Sequence, residues 1–524
     1  MFAGASPIAR LCLRPVRSSL HNVGGWTARW AAIAPEREAI IDGARRLSYR
    51  ELDERVARAA GWLADRGVAR GERVALLLAN GSAYLELVLA AARIGALSVP
   101  LNSRLSPGEL AFQLADCRPA LAVRDAEFAT TFDAANSRNH PTGLRGFDVE
   151  RDFEHELLTA PPRPVEPVAP DDPMMLLYTS GTTGSAKGAL LPHRKTLFNA
   201  LNAQLYFGIR GGEDRVLVAA PLFHSLGLKI LSLPALYAGA TLVIHRRFDA
   251  AAFWREVERE HITYSGGVPT HYGRLLEELN GSSREFDRSH LRFLFTAGAA
   301  VAPETVRAYR GHGLVLKQGF GQTESSILCC LHEDEAVRHA GSVGRPVFHA
   351  ELRIVNPATF DQTPERWAEV APGDVGEIVV RGPITMLGYW ERPEETAAAL
   401  RDGWLRTGDL AHRDAEGFIT LTGRARDMII SGGENVYPAE VEAILVDHPA
   451  IREIAITGIP DEHWGEVGCA WVVLQPGQTL DLEDLHEWAA ERLARFKLPR
   501  ELVVVDALPR TASGKVQKHA LESA

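Results

Sequence analysis

The sequence predicts an α/β protein, with a large N-terminal domain of layered sheets and a small, mobile α+β domain at the C-terminus. Three observations carry this expectation. The chain has 524 residues, more than one compact unit at about 100–200 residues per domain. Apolar runs of strand length alternate with helical periods through most of it, the pattern of largely parallel strands joined by helices. After Arg426 the order changes to helix, strand, strand, helix, which reads as a separate unit. The expected boundaries are an extension over 1–24, the large domain over 25–425 and the small domain over 426–524.

Ser48-Tyr49-Arg50-Glu51 reads as a capping box, flanked by Leu47 and Leu52 as a hydrophobic staple. Leu52, Val56, Ala59, Ala60 and Leu63 then share one helical face, and Gly67 ends the run. Residues 74–78 read as a buried strand, 83–93 as a helix and 96–100 as a second strand. The segment 129–170 is rich in Pro, Asp and Asn with weak periodicity, which predicts a surface excursion. Residues 174–177 form an apolar strand. The stretch 230–244 falls short of the ~20 apolar residues of a membrane helix and contains Pro234 and Gly239, so it reads as buried core. In the small unit, 439–446 and 482–494 read as helical, 451–459 and 470–474 as extended.

Composition narrows the function. Hydrophobic residues make up 46% and charged residues 24%, ordinary for a soluble enzyme. A net charge of -10 argues against nucleic-acid binding, which needs a basic face to displace phosphate counterions. The five cysteines lack zinc-site spacing and read as reduced thiols of a cytoplasmic protein. Residues 1–35 carry Arg10, Arg14, Arg17 and Arg29 with no acid. That composition suits a mitochondrial transit peptide and equally a frayed bacterial N-terminus. Oligomeric state stays open, a homodimer included.

The most informative stretch is Tyr178-Thr179-Ser180-Gly181-Thr182-Thr183-Gly184-Ser185-Ala186-Lys187-Gly188, directly after the apolar strand. Glycines let successive amides point into one concavity, where hydroxyls and an ammonium add donors for a polyphosphate. A Walker loop would need Gly-Lys-Ser/Thr, whereas Ser185 and Ala186 separate Gly184 from Lys187 and Gly188 follows. A flexible linker has no need of a lysine framed by glycines.

This stretch resembles the signature of the adenylate-forming (AMP-binding) superfamily, of the acyl-CoA synthetase or fatty-acid–CoA ligase type, with Ala186 in place of the usual proline. The resemblance extends from about Gly25 to Lys518 through further motifs in the family's order. Gly319-Phe320-Gly321-Gln322-Thr323-Glu324-Ser325 looks like the adenine and magnesium segment, which implies that Phe320 stacks on adenine and that Glu324, with Thr179, helps to hold Mg²⁺. Thr296-Ala297-Gly298-Ala299-Ala300 is similar to the strand end against which adenine lies. Asp409, in Trp404-Leu405-Arg406-Thr407-Gly408-Asp409, matches the acceptor for both ribose hydroxyls. Arg424 is implied as a nucleotide contact and Arg426 as the hinge. The turn Ser431-Gly432-Gly433 matches the wall of the CoA tunnel. Lys515, in Pro509-Arg510-Thr511-Ala512-Ser513-Gly514-Lys515, matches the lysine of adenylation.

The resemblance therefore implies an ATP-dependent ligase that joins a carboxylic acid to CoA through an acyl-adenylate, with Mg²⁺ as cofactor. Ala220-Pro221-Leu222-Phe223-His224-Ser225 matches the acyl-pocket segment and lacks the acid that would pair an amino-acid ammonium. With Gly266 and Gly267 widening the pocket floor, a medium or long aliphatic acid is the first expectation and an aryl or arylpropenoic acid the second. A carrier-protein-loading acyl-AMP ligase, a luciferase-like oxygenase and a silent binding module on the same fold remain as alternatives.

Overall fold

In the computed structural model the described residues are 17–139, 143–179, 186–298, 301–431, 434–461, 464–489, 492–493, 495–511 and 514–521. They build four sheets. A nine-stranded sheet gathers Glu38–Asp42, Arg45–Ser48 and the strands between Arg215–Val218 and Arg345–Pro346. A seven-stranded sheet runs from Gly388–Tyr389 through Lys187–Pro192 and Pro173–Thr179 to Gly146–Asp148 at its far edge. A five-stranded antiparallel sheet is built from Glu351–Val355 to Ile419–Arg424. The fourth, also five-stranded, begins at Ile429–Ser431 and ends at Glu501–Val504.

The local signals explain these elements. Ser48 accepts from the Glu51 amide at 3.2 Å while Glu51 accepts from the Ser48 amide at 2.8 Å, which starts the helix Tyr49–Asp65. Its apolar face, Leu52 to Leu63, is fully buried against the helix Ser82–Arg93. Continuous apolar runs such as Arg73–Leu77 and Leu121–Arg124 become parallel strands buried on both faces. The 230–244 stretch is core, as its sequence indicated. Among the described residues no helix is long and apolar enough to cross a membrane.

Two expectations need correction. Parallel pairing dominates the first two sheets only, because the strands between Glu351 and Arg424 pair antiparallel throughout. Nor is 129–170 merely a surface excursion. It holds the helix Ala129–Asn139 and an edge strand, and buries Phe132, Val149, Phe153 and Leu157. Phe147 and Phe153 meet the Trp62 ring edge-on at 5.2 and 5.3 Å. These aromatic contacts are nonlocal, so no periodicity reports them.

The fourth sheet has its own core, in which Val441, Leu445, Ile451, Val472 and Leu485 pack together. Between the third and fourth sheets stands a single turn, Ala425–Asp427. Beyond the last strand the chain folds back as a hairpin. The Thr511 amide donates to Lys515 O at 2.7 Å, and Gly514 takes the left-handed φ of +87° that the tight turn requires.

Candidate functional site

Four chain segments from three sheets converge with that hairpin. Thr179 ends the strand Pro173–Thr179, and its hydroxyl donates to Glu324 Oε1 at 3.4 Å across 145 residues of sequence. Glu324 follows the strand Leu316–Gln322. Asp409 lies in Trp404–Arg413, paired in register with Arg424 at the end of Ile419–Arg424. The Arg424 Nε meets Asp409 Oδ1 at 2.8 Å, and Gln322 donates to the other carboxylate oxygen. Asp409 is buried, which pushes its carboxyl up to about 6 although Arg424 and Lys515 pull it down.

Lys515 closes the site from the small unit. Its ammonium is pushed below the ordinary lysine range by burial and by Arg424, against the opposing pull of Asp409 and Glu324. The residue itself keeps solvent-exposed surface. The two facts fit a cleft that water enters but protein surrounds. The hairpin rests on the large unit, since a Cβ on Gly514 would lie 3.9 Å from Thr270 Oγ1. Two ion pairs hold it to its own unit: Arg510 with Glu453 of the strand Ile451–Asp461, and Lys518 Nζ with Glu442 Oε1 of the helix Pro438–Leu445 at 2.7 Å.

His224 faces the same cleft. Burial and the nearby Lys515 charge lower it to about 4, so it is neutral at pH 7. Its Nδ1 accepts from the Leu226 amide at 3.4 Å, which leaves Nε2–H as the donor. Gly266 and Gly267 lie in the buried strand Tyr264–Gly267. Beside Gly266 a Cβ would meet Leu231 at 2.9 Å, and beside Gly267 it would meet His271 at 3.2 Å. The room that the pocket-floor expectation assigned to substrate is thus filled there by side chains.

Glycine needs a second explanation in the Gly319–Glu324 segment. A Cβ on Gly321 would stand 1.9 Å from Ser326 O, so the close hairpin with Ser326–Cys330 demands it before any ligand does. Phe320 is buried in that strand. Gly298 adopts φ +94° just past Phe293–Thr296. Ser431 pairs with Glu434 and Gly465, and exposed Arg426 pairs with Asp427 at 3.2 Å in the turn between the sheets. Ser180, Gly181, Thr182, Thr183, Gly184, Ala299, Ala300, Gly432 and Gly433 lie outside the described residues. Thr323 stands beside Glu324 at the strand end, and Lys187 Nζ lies 5.6 Å from the Tyr389 ring.

Tyr389 is the contributor that motif reading passed over. Its hydroxyl donates to Glu324 Oε1 at 3.0 Å, while the Met386 amide donates to Glu324 O at 2.8 Å and the Trp390 amide to Gly188 O at 2.7 Å. One short segment thereby ties Glu324 to the strand that leaves the phosphate loop. The aromatic pair after Gly388 was the available signal.

The donor set suits a hard cation. Glu324 and Thr179 offer neighbouring oxygens, and among the described residues no group of three or more His, Cys, Asp or Glu surrounds a point. Mg²⁺ needs few protein ligands when phosphate oxygens and water complete its shell.

Similarity to known proteins runs along most of the chain. The profile of the AMP-binding enzyme family matches residues 27–390, and that of the AMP-binding enzyme C-terminal domain matches 440–515. A feruloyl-CoA synthase from an Amycolatopsis species is 40% identical over 95% of this chain and 98% of its own. The indoleacetate–CoA ligase of Aromatoleum aromaticum is 41% identical, covering 94% and 96%. A long-chain-fatty-acid–CoA ligase of Mycobacterium tuberculosis is 32% identical, covering 96% and 98%. Among solved structures, o-succinylbenzoate CoA synthetase from Bacillus subtilis with its acyl-adenylate intermediate superposes with a TM-score of 0.84 at 33% identity, covering 95% of this chain and 98% of that one. The same enzyme has also been solved with ATP and a magnesium ion.

Proposed function

We propose, for a chain that belongs to the AMP-binding enzyme family and is an ATP-dependent acyl-CoA ligase, that the acid it activates is an aryl or arylpropenoic acid. ATP, Mg²⁺ and CoA are its other reactants. One observation carries the substrate reading: the relatives named for ring acids reach 40% and 41% identity, against 32% for the fatty-acid ligase. This reverses the order of the two substrate classes expected from the sequence. The bacterial relatives support a cytoplasmic setting.

The residue roles follow from charge. In the first half-reaction the substrate carboxylate attacks the α-phosphorus of ATP, so two anions must approach. Lys515 stabilises the charge that builds on the α-phosphate and the attacking oxygen. Glu324 and Thr179 would hold Mg²⁺, which neutralises phosphate charge when bound. The 179–187 loop cradles the phosphates. Asp409, held by Arg424 and Gln322, accepts from the ribose hydroxyls, and Phe320 lies against adenine beside Gly298. Neutral His224 donates from Nε2 to the acid.

In the second half-reaction a thiol attacks the acyl carbonyl and AMP leaves. Lys515 would then obstruct the thiol. The unit after Arg426 rotates, withdrawing Lys515 and bringing the 431–433 turn to the cleft. A panel of ring and straight-chain acids with ATP and CoA, following AMP, pyrophosphate and thioester, tests the substrate reading. Ring acids should give the highest kcat/KM, and turnover of straight-chain acids alone would overturn it. Replacing Lys515 by alanine tests the division of labour. Acyl-adenylate formation should fall by about 10²–10³ or more while thiol transfer from supplied acyl-adenylate survives.

A further inference from the structure

Two buried cations are left unexplained by the nucleotide chemistry. Lys195 is 0% exposed and Lys229 is 1% exposed, and neither forms an ion pair among the described residues. Lys195 Nζ bonds to Ser326 Oγ. Lys229 Nζ is turned toward the Lys195 amine and has no oxygen acceptor among the described residues. Lys317, by contrast, is buried and satisfied, donating to Tyr206 O at 2.5 Å with its ammonium 4.0 Å from the Phe293 ring. The fold can therefore settle an isolated buried lysine, and it has not done so for this pair.

Their position is informative. Lys229 sits on the π-helical turn Leu226–Ser232, which starts two residues after His224, and its carbonyl accepts from Asn199 at 2.6 Å. Such wide turns recur at functional sites. Leu231 of the same turn packs on Gly266. Ser326, the partner of Lys195, stands two residues after Glu324. The pair thus lies where the helix His193–Phe207, the turn that follows His224 and the strand that follows Glu324 meet.

Two ammonium groups in contact within a low-dielectric interior repel, and each also loses its hydration. Burial drives Lys195 well below the ordinary lysine range and Lys229 down to about 8. Among the described residues, Lys229 and Arg194 push the Lys195 ammonium down and Glu324 pulls it up, while a hydrogen bond to Lys195 partly offsets burial at Lys229. An anionic oxygen set between the amines would replace one N–H···N contact by two charge-assisted bonds and let both be protonated.

We propose that Lys229 and Lys195 form the distal end of the acid pocket and hold a second anionic oxygen, carboxylate or phenolate, on the far side of the substrate ring. This rests on the aryl-acid reading above.

The test uses the full-length enzyme with ATP, Mg²⁺, CoA and three phenylpropenoic acids: unsubstituted, para-hydroxy and para-carboxy. One of the two oxygen-bearing acids should exceed the unsubstituted one in kcat/KM by about 30-fold, and which one does so identifies the oxygen. Lys229→Met should bring that ratio close to one. Calorimetric binding in buffers of different ionisation heat should show about one more proton taken up with the para-carboxy acid than with the unsubstituted one if the carboxylate is preferred, and no extra uptake with the para-hydroxy acid, whose phenol proton passes to the amine. Equal kcat/KM for all three acids overturns the inference, as does a ratio that Lys229→Met leaves intact, while the ligase reading stands. Turnover of straight-chain acids with none of the ring acids overturns the aryl-acid reading along with it. Should Lys229→Met fail to fold, the parent enzyme decides: equal kcat/KM for all three acids, or a preference for the para-carboxy acid without the extra proton, overturns the proposal.

Discussion

Asp409 is where burial and function pull in opposite directions. Its carboxyl is raised to about 6 by burial, yet the acceptor role requires the ionised form. A raised carboxyl gains protons as pH falls through its folded value, so the acceptor is lost on the acid side. AMP affinity should therefore be flat from pH 8 to about 7 and weaken about tenfold per unit well below pH 6, measured by calorimetry. The Asp409→Asn variant should bind weakly with no such acid limb. Lys515 stays outside this limb, because an ammonium gains protons as pH falls. The sequence made Asp409 and Lys515 visible as family matches, but the Gln322–Asp409–Arg424 contact that orients the carboxylate and offsets part of its burial joins three strands and has no linear signature. The same holds for Tyr389, whose hydroxyl meets Glu324 from 65 residues away.

At the scale of elements, the hairpin that carries Lys515 depends on the Lys518–Glu442 pair. Glu442 accepts from the Ile456 amide at 2.7 Å and from Lys518 at 2.7 Å, so it pins the hairpin to the strand Ile451–Asp461. Its carboxyl is nevertheless held above the usual range, with burial outweighing Lys518. Both side chains keep about a fifth of their surface in water, 20% and 23%, so solvent screening reduces the cost of breaking the pair to about 1–2 kcal/mol. Lys518→Met should lower thermal stability by that amount and slow acyl-adenylate formation, with thiol transfer from supplied acyl-adenylate largely kept. Equal losses in both half-reactions would mean that the pair serves general stability alone. Helix starts were the most legible elements. Ser106 and Glu109 form a second reciprocal cap like that of Ser48 and Glu51, because such caps lie within four consecutive residues. The 129–170 region was least legible, since Phe132 and Phe153 are fixed by partners on other elements.

For the whole molecule, one turn at Ala425–Asp427 links the third and fourth sheets, and the exposed Arg426 side chain pairs with its neighbour Asp427. About half of that side chain's surface stays in water, 52%, so packing resists a change in the turn's backbone angles only weakly. Proline at 426 fixes φ and should hold the small unit in the arrangement that keeps Lys515 beside Asp409 and Glu324. Acyl-adenylate should then form and accumulate, while thioester production falls at least about tenfold. Single-turnover quench measurements of the two steps check this. Equal slowing of both would remove Arg426 as the pivot.

By itself the sequence determined what is written locally. Apolar periods fixed strands and helices, four-residue caps fixed helix starts, and the glycine and hydroxyl run marked a phosphate loop whose family match supplied the activity. The tertiary structure alone decided which distant charges meet. It set Asp409 between Arg424 and Gln322, brought Tyr389 to Glu324, and buried Lys195 against Lys229 with no ion-pair partner among the described residues. The physical reason is that a charge takes its energy from neighbours in space and from lost water, and neither is ordered along the chain.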